Sequence, residues 1–333
     1  MSDMLMAPQE TTASTKEPRY STPGTWFTRL AVPIALVTII VIGAIASPKF
    51  LTQGNLLNVL NANSTMGLVA LGITFVAVSG AMTDLSVPAL VALGALISLG
   101  LQPTLGPVGA PIAGLAVATV GGSINGLLVG YFRINPIIAT LGTGFVLLGV
   151  SQIMTGGGIL YGQPSSLSNF VGGTMLGIPV FVWMFVVVAL ILWPLLSRTA
   201  YGRWVRATGG NYEAARASGV PVRFVKALSF TLTGFLSGLC GVLIALSNGQ
   251  ARPIVGAGYD FLALTAVVIG GTSLFGGNGS IVRTVGGVLV TALIGNLIIL
   301  TGLPTQSRNL VTGIIVVAAV AVDAYFRRKA TRA

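Results

Sequence analysis

The chain alternates long apolar runs with short polar or glycine-rich breaks, and this alternation is its dominant pattern. A helix needs about 20 apolar residues to cross a bilayer. By that criterion we predict about ten transmembrane helices, of which the third, eighth and ninth are short. They lie at Leu30–Ser47, Leu56–Ser79, Val87–Leu101, Val108–Tyr131, Pro136–Met154, Ile178–Leu196, Leu228–Ser247, Phe261–Phe275, Val285–Leu300 and Leu310–Phe326.

One long polar interval interrupts this pattern. Arg198–Lys226 carries six basic residues and one acid, so it does not fit in lipid. Its middle predicts a short helix, Tyr212–Ser218, because Asn211 can cap the first free amides and Glu213 lies in the first turn, where the helix dipole favours an anion. Gly219 predicts the end of this helix, because glycine readily adopts the left-handed backbone conformation that commonly follows a last helical turn. The interval is therefore expected to be a loop that carries one small helix outside the membrane.

Lysine and arginine are distributed unevenly between the two sides that ten crossings create. With the amino terminus inside, fifteen basic residues are cytoplasmic and three are outside, an excess typical of cytoplasmic loops. The cytoplasmic set is Lys16, Arg19, Arg29, Arg133, Arg198, Arg203, Arg206, Arg216, Arg223, Lys226, Arg283, Arg327, Arg328, Lys329 and Arg332, and the outer set is Lys49, Arg252 and Arg308. We predict both termini inside, a disordered tail over residues 1–28, a membrane domain over 29–326 and a basic tail over 327–333. The net charge of +11 is then a topology signal and implies no nucleic-acid partner.

Composition supports an all-α integral membrane protein. Hydrophobic residues make up 53% of the chain and charged residues 8%, whereas soluble domains are roughly a quarter charged. There is one cysteine, Cys240, and no histidine. The sequence therefore offers no disulfide framework, no cysteine-rich metal site and no serine–histidine chemistry, and we expect no bound metal.

Glycine is frequent, and several glycines recur at four-residue spacing. Gly122, Gly126 and Gly130 form one such set, and Gly234 and Gly238 form another. Residues four apart share a helix face, and small residues there let two helices approach backbone to backbone. We expect these faces to pack tightly.

Two stretches show a weak internal similarity. Each contains a threonine, a valine and a glycine at the same spacing, followed by a polar or glycine-rich break. A duplicated transporter core with interrupted helices has this appearance, although three matched residues also fit chance. The matched residues are Thr74, Val76 and Gly80, and Thr265, Val267 and Gly271.

The polar interval resembles the cytoplasmic coupling loop of permease subunits in ABC importers of the ribose type. The matching residues are Gly202-Arg203, Gly209-Gly210-Asn211, Glu213 to Arg216, Ser218-Gly219 and Val222 to Lys226. Similar motifs extend over roughly Leu51 to Asp323. In that family the loop docks on a separate ATPase, so the resemblance implies an ATPase-coupling role for Arg203, Asn211, Glu213, Ala214, Ala215, Arg216 and Gly219. The alternative is a basic loop that merely fixes topology.

Asp84 is the one acid between Glu17 and Glu213. The stretch Asp84-Leu85-Ser86-Val87 is similar to one in the same family, but Pro88 stands where the family usually has glycine, and Ala81-Met82-Thr83 replaces the usual Gly-Ile. An ionisable group beside the membrane core is costly, which makes Asp84 and Ser86 candidates for gating or for a helix break. The alternative is that Asp84 caps the next helix at the cytoplasmic interface.

Polar side chains on otherwise apolar helices are candidates for a solute path. Amides and hydroxyls can replace water around a polyhydroxylated solute, and a phenylalanine offers a flat face to a sugar ring. Interhelical hydrogen bonding is the alternative for each residue taken singly. The candidates are Asn58, Asn61, Phe75, Asn125, Thr140, Thr143, Thr291 and Asn296.

The sequence has no Gly-x-x-x-x-Gly-Lys-Ser/Thr motif, so we expect the chain not to be an enzyme and to bind no cofactor, with ATP and Mg²⁺ on a separate subunit. Together with the resemblance, this predicts a permease subunit of an ATP-driven importer in the bacterial inner membrane, which moves a monosaccharide or related polyol by alternating access. The implied partners are an ABC ATPase, a periplasmic solute-binding protein, a second permease copy in a homodimer, and membrane lipid. The alternatives are an ion-driven secondary carrier using Asp84, Asp260 or Asp323, and a membrane scaffold that moves nothing.

Overall fold

The computed structural model describes residues 24–304 together with 307, 310, 313, 314 and 317. This part of the chain is mostly helical, with four strands of two residues each. The helices are α1 (Gly24–Ala46), α2 (Gln53–Val78), α3 (Val87–Gly100), α4 (Gln102–Gly130), α5 (Pro136–Thr155), α6 (Ser166–Gly172), α7 (Val180–Arg198), α8 (Ala200–Gly210), α9 (Tyr212–Ala217), α10 (Val222–Asn248), α11 (Tyr259–Ile269) and α12 (Ile281–Leu300). The strands are β1 (Leu160–Tyr161), β2 (Thr174–Met175), β3 (Ile178–Pro179) and β4 (Gln250–Ala251).

Six of the described helices are long and apolar enough to cross a membrane, judged by length and composition: α2, α4, α5, α7, α10 and α12. Shorter apolar stretches lie in α1, α3 and α11. The predicted helical character is thus confirmed, and six candidate spans among the described residues agree with a multi-pass protein, while the count of about ten is not confirmed. The tenth predicted span, Leu310–Phe326, lies largely outside the described residues, as do residues 1–23 and the tail 327–333.

The helix bounds correct several predicted spans. The ninth is not short, because α12 begins at Ile281 rather than Val285, and α10 begins at Val222 rather than Leu228. α1 begins at Gly24, inside the segment predicted as a tail. The reason is the same each time. Hydropathy locates the apolar middle of a helix, whereas hydrogen-bonded turns continue through polar residues at its ends.

α2 and α10 form the centre of the helical body. Every residue of α2 from Asn63 to Val78 is buried, and α10 packs against α4, α3 and α2. The predicted glycine faces meet where α4 crosses α10. There, a Cβ added to Gly122 would lie 2.6 Å from the Cα of Gly234. The expected backbone-to-backbone packing is therefore confirmed at this crossing.

The two ends of the body differ. At one end β1 pairs antiparallel with β4, so Leu160 lies opposite Ala251 and the segment after α5 is tied to the segment after α10. At the other end α8 and α9 connect α7 to α10. α10 joins the two ends, since its 27 residues extend over about 40 Å. We call the second end the α8–α9 end.

Candidate functional site

α9 has the caps that its sequence predicts. The side-chain oxygen of Asn211 accepts a hydrogen bond from the amide of Ala214 at 3.0 Å, and Glu213 lies in the first turn. Gly219 follows the helix with φ at +80°. Ala215 is buried, while Asn211, Glu213, Ala214 and Arg216 are exposed. The predicted helix is confirmed, ending one residue earlier than expected, and it presents one buried and one open face.

A second helix, α8, occupies the part of the polar interval that was expected to be loop. Gly202, Val205 and Thr208 are buried, so one face at three-residue spacing packs inward. Thr199 caps its start, its hydroxyl accepting from the amide of Gly202 at 3.2 Å. The three-residue spacing of these small or apolar positions was the sequence signal for a helix, but the arginines between them gave the segment the appearance of a polar loop. Arg203 therefore lies on α8 and not on the small helix α9.

Two arginines of α8 donate hydrogen bonds to carbonyl oxygens at the end of the preceding helix, α7. Arg206 donates to the carbonyl oxygen of Leu196 at 3.4 Å, and Arg203 donates to that of Arg198 at 3.5 Å. The last carbonyls of a helix lack intrahelical donors, and basic side chains commonly satisfy them. α8 is thereby held against the end of α7.

Tyr201, which the sequence did not single out, connects α8 to the two central helices. Its hydroxyl lies 3.1 Å from that of Ser229 on α10, and its ring stacks on Phe75 of α2 with centroids 6.1 Å apart. Phe75 is fully buried in this contact. The face proposed for a sugar ring is thus covered by Tyr201. Through Tyr201, α8 is in direct side-chain contact with both α2 and α10, so a movement of α8 acts on both helices.

Five of the predicted residues form one buried hydrogen-bond network between α2 and α5. Asp84 accepts from the amide and hydroxyl of Ser86, at 2.9 and 2.6 Å. Asn125 of α4 donates to the Ser86 hydroxyl at 2.7 Å and accepts from Thr143 of α5. Thr140 of α5 accepts from the backbone amide of Leu85 at 3.1 Å. The break before α3 is therefore bound to both α4 and α5.

Asp84 is the costly member of this network. Its side chain is fully buried, and its second carboxylate oxygen has no hydrogen-bond partner among the described residues. Burial raises the pKa of Asp84 to about 6, although the hydrogen bonds from the hydroxyl and amide of Ser86 oppose the shift. Asp84 lies in the connection between α2 and α3, where it accepts from Ser86 at the start of α3.

The other candidates for a solute path take no part in this network. Asn296 on α12 exchanges two amide hydrogen bonds with Asn55 on α2, at 2.9 and 2.8 Å. Thr291 donates to a carbonyl one turn back in its own helix. Asn58 is exposed and Asn61 is half-buried near the start of α2. The candidate set thus divides into a buried cluster at the break and separate residues elsewhere.

An apolar cleft of about 160 Å³ lies beside the break. It is lined by Leu85 and Pro88 at the start of α3, by Leu141 and Phe145 on α5, and by Ile254 after β4. Phe145 is 71% exposed, so α5 presents a largely open apolar face here. The network therefore holds α5, the least buried of the six candidate spans, against the break.

Comparison with known proteins identifies the class. A family model described as branched-chain amino acid transport system / permease component matches residues 55–320. The ribose import permease protein RbsC of Bacillus subtilis is 39% identical over 293 residues, which cover 87% of this chain and 91% of the relative. RbsC of Escherichia coli K12 is 35% identical over 318 residues, covering 94% and 98%. The D-allose transport system permease protein AlsC of Escherichia coli K12 is 35% identical over 295 residues, covering 87% and 89%.

No solved structure matches the chain at a significant level. The family model covers well over half of the chain, and the relatives align over nearly their whole length. The helical body with six candidate spans agrees with a membrane permease. The chain therefore belongs to the branched-chain amino acid transport system permease component family.

Proposed function

We propose that this chain is the permease subunit of an ABC importer for a monosaccharide, with D-ribose as the first candidate. The observation that carries the proposal is the 39% identity to a ribose import permease over 87% of the chain. Relatives named for D-allose and L-arabinose transport support a sugar, without distinguishing among sugars. An ion-driven carrier has no support from these relatives, and we set that alternative aside.

In this proposal α9 docks on a separate ATPase, which binds ATP and Mg²⁺. Support comes from the exposed Glu213 and Arg216 and from the low, alanine-rich surface of α9. Arg203 takes part from α8, while Asn211 and Gly219 set the ends of the docking helix. A second permease copy and a periplasmic binding protein complete the assembly in the bacterial inner membrane. The α8–α9 end and both termini face the cytoplasm.

The solute path in this proposal uses the buried cluster rather than the full candidate set. Asn125, Thr140 and Thr143 carry amide and hydroxyl groups at the break, and Asp84 and Ser86 anchor them. Opening of the path then requires α5 to separate from the break, which breaks hydrogen bonds that are individually weak. Asn58, Asn61, Phe75 and Asn296 are assigned interhelical or surface roles.

The function is tested by transport in liposomes that contain the permease together with its ATPase and binding protein. We expect uptake of radiolabelled D-ribose that requires ATP on the side of the membrane where the ATPase is bound. This uptake should continue when the proton and sodium gradients are collapsed. The control omits the binding protein or replaces ATP by ADP. Uptake that continues without ATP and stops with the ion gradient would contradict the proposal.

Replacing Glu213 with lysine is expected to abolish ribose uptake while membrane insertion stays normal. The change puts a cation in the first turn of a helix of six residues, where the unfavourable interaction with the helix dipole destabilises the helix by roughly 0.3–1 kcal/mol. It also reverses an exposed charge on the docking surface. Glu213→Gln is the matched control, since it keeps the size of the side chain and should retain partial uptake. Normal uptake and normal co-purification of the ATPase with Glu213→Lys would count against docking by α9.

A further inference from the structure

Four glycines from three separate segments meet beside α9. Gly80 follows α2, Gly209 lies in the last turn of α8, and Gly276 and Gly277 lie between α11 and α12. A Cβ on Gly276 would lie 2.8 Å from the Cα of Gly80 and 2.8 Å from the Cα of Gly209. A Cβ on Gly209 would overlap the carbonyl oxygen of Val78. The three backbones are therefore in direct contact, and we call these four residues the glycine joint.

A backbone hydrogen bond closes the glycine joint. The amide of Gly277 donates to the carbonyl oxygen of Val78, the last residue of α2, at 2.9 Å. Gly80, Gly276 and Gly277 have φ of +79°, +99° and +79°, a region that glycine enters readily and other residues do not. Backbones in contact have no rotamers that can absorb a displacement. A shift of one segment therefore moves the other two or breaks the contact.

The two helices that lead into the joint, α2 and α11, end in the same way. In each, an amide beyond the helix donates to the carbonyl five residues earlier, and the residue before that amide is a left-handed glycine, which is a Schellman stop. The bonds are Ala81 to Val76 at 3.2 Å and Thr272 to Val267 at 3.1 Å, with Gly80 and Gly271 at φ +79° and +71°. The valine and glycine that the two similar stretches share thus lie in helix stops of the same type, which also close α5 at Gly156 and α9 at Gly219.

The joint is continuous with both α9 and the buried network. Gly209 is followed by Gly210 and then by Asn211, the residue that caps α9. On the other side, Gly80 leads within a few residues to Asp84, whose partner Ser86 is bound to α4. We propose that the glycine joint transmits displacement of α9 to both helix stops at once, so that Gly209 is a positioning residue for coupling.

This inference rests on the proposed docking of α9, and a matched pair of variants tests it. Gly209 and Gly210 are adjacent in the last turn of α8 and neither has positive φ, but a Cβ on Gly210 would meet nothing within 4 Å. In the reconstituted complex, Gly209→Ala is expected to lower D-ribose uptake about tenfold or more while ATP hydrolysis per complex is retained. Gly210→Ala is expected to match the wild type in both.

Equal uptake by Gly209→Ala and the wild type would overturn the inference. A wild-type complex that imports no ribose would instead contradict the proposed function, so the two failures are distinguishable. A merely structural role for Gly209 would lower assembly, hydrolysis and uptake together, and hydrolysis that falls in parallel with uptake in the assembled complex would also count against coupling.

A second measurement leaves the joint itself unchanged and decides the matter if Gly209→Ala does not assemble. Spin labels are placed at Ala207 and Met82, which are exposed on either side of the joint, and at Val108 near the far end of α4. Cys240 is the single native cysteine and is buried, so the labels react at introduced cysteines. On ATP binding we expect the 207–82 distance to stay constant while the distance from 207 to 108 changes. A change in the first distance, or none in the second, would overturn the inference.

Discussion

Replacing Gly122 with alanine is expected to destabilise the folded chain by about 3 kcal/mol, the upper part of the range for overpacked cores. The added methyl would lie 2.6 Å from the Cα of Gly234 and 2.7 Å from the carbonyl oxygen of Phe230. Both atoms belong to the backbone of α10, so neither can rotate away. Relief requires α4 and α10 to separate along the crossing, and this would loosen the centre of the body.

Gly142→Ala is the matched control for this prediction. Gly142 also lies inside a helix, but a Cβ there would meet nothing within 4 Å. Alanine has the higher helix propensity by up to about 1 kcal/mol, so this variant is expected to be as stable as the wild type or slightly more stable. Thermal unfolding of the detergent-solubilised protein, followed by intrinsic fluorescence, measures both. Equal melting temperatures for Gly122→Ala and the wild type would contradict the tight crossing.

The ends of α9 could be predicted because caps depend on neighbouring residues. A side-chain oxygen at Asn211 and a flexible backbone at Gly219 act within four residues of the helix ends, so sequence order already contains the geometry. α8 was missed for a related reason. Its arginines indicated a solvated loop, while the buried face of Gly202, Val205 and Thr208 emerges only when every third residue is counted.

The members of the buried network could be predicted singly, but their pairing could not. Asn125 lies 39 residues from Ser86 and 18 residues from Thr143, and such contacts depend on how helices pack. Asn55 shows the same limit, since its partner Asn296 is 241 residues away. Polarity on an apolar helix indicates that a side chain needs a partner, whereas the fold decides which partner it finds.

The predicted count of about ten spans is not confirmed among the described residues, where six helices have the length and composition of a span. α3 has 14 residues and α11 has 11, so both are apolar but too short to cross alone. Each lies next to one of the two left-handed glycine stops that lead into the glycine joint, α3 following that of Gly80 and α11 preceding that of Gly271. Interrupted helices of this kind are what transporters use to place polar groups inside the body.

Replacing Asp84 with asparagine is expected to change the pH dependence of stability. The raised pKa of about 6, against 3.8 for the ordinary carboxyl, means that the folded state holds this proton more tightly than the unfolded state. The stability that the protonated Asp84 contributes is therefore fully present below about pH 4 and is lost as the pH rises through about 6. The loss amounts to up to about 3 kcal/mol for a pKa shift of this size. Asparagine does not titrate, so the variant lacks this loss.

The measurement is the melting temperature of wild type and Asp84→Asn at several values between pH 4.5 and pH 7.5. The difference between the two proteins should move in favour of the variant as the pH rises to 6 and stay constant above it. Asparagine retains an oxygen that can accept from the amide and hydroxyl of Ser86, so the network keeps its form. A difference that does not vary with pH would show that Asp84 is not the titrating group.

Ribose uptake by the same variant separates stability from transport. The fold gains nothing from a buried carboxylate whose second oxygen has no partner among the described residues. An acid that costs stability at neutral pH is therefore expected to act in transport, where it anchors Ser86 and the break to α4 and α5. We expect Asp84→Asn to reduce ribose uptake at pH 7. Its melting temperature relative to that of the wild type should nevertheless be no lower at pH 7 than at pH 4.5. Unchanged uptake would assign Asp84 to helix capping alone.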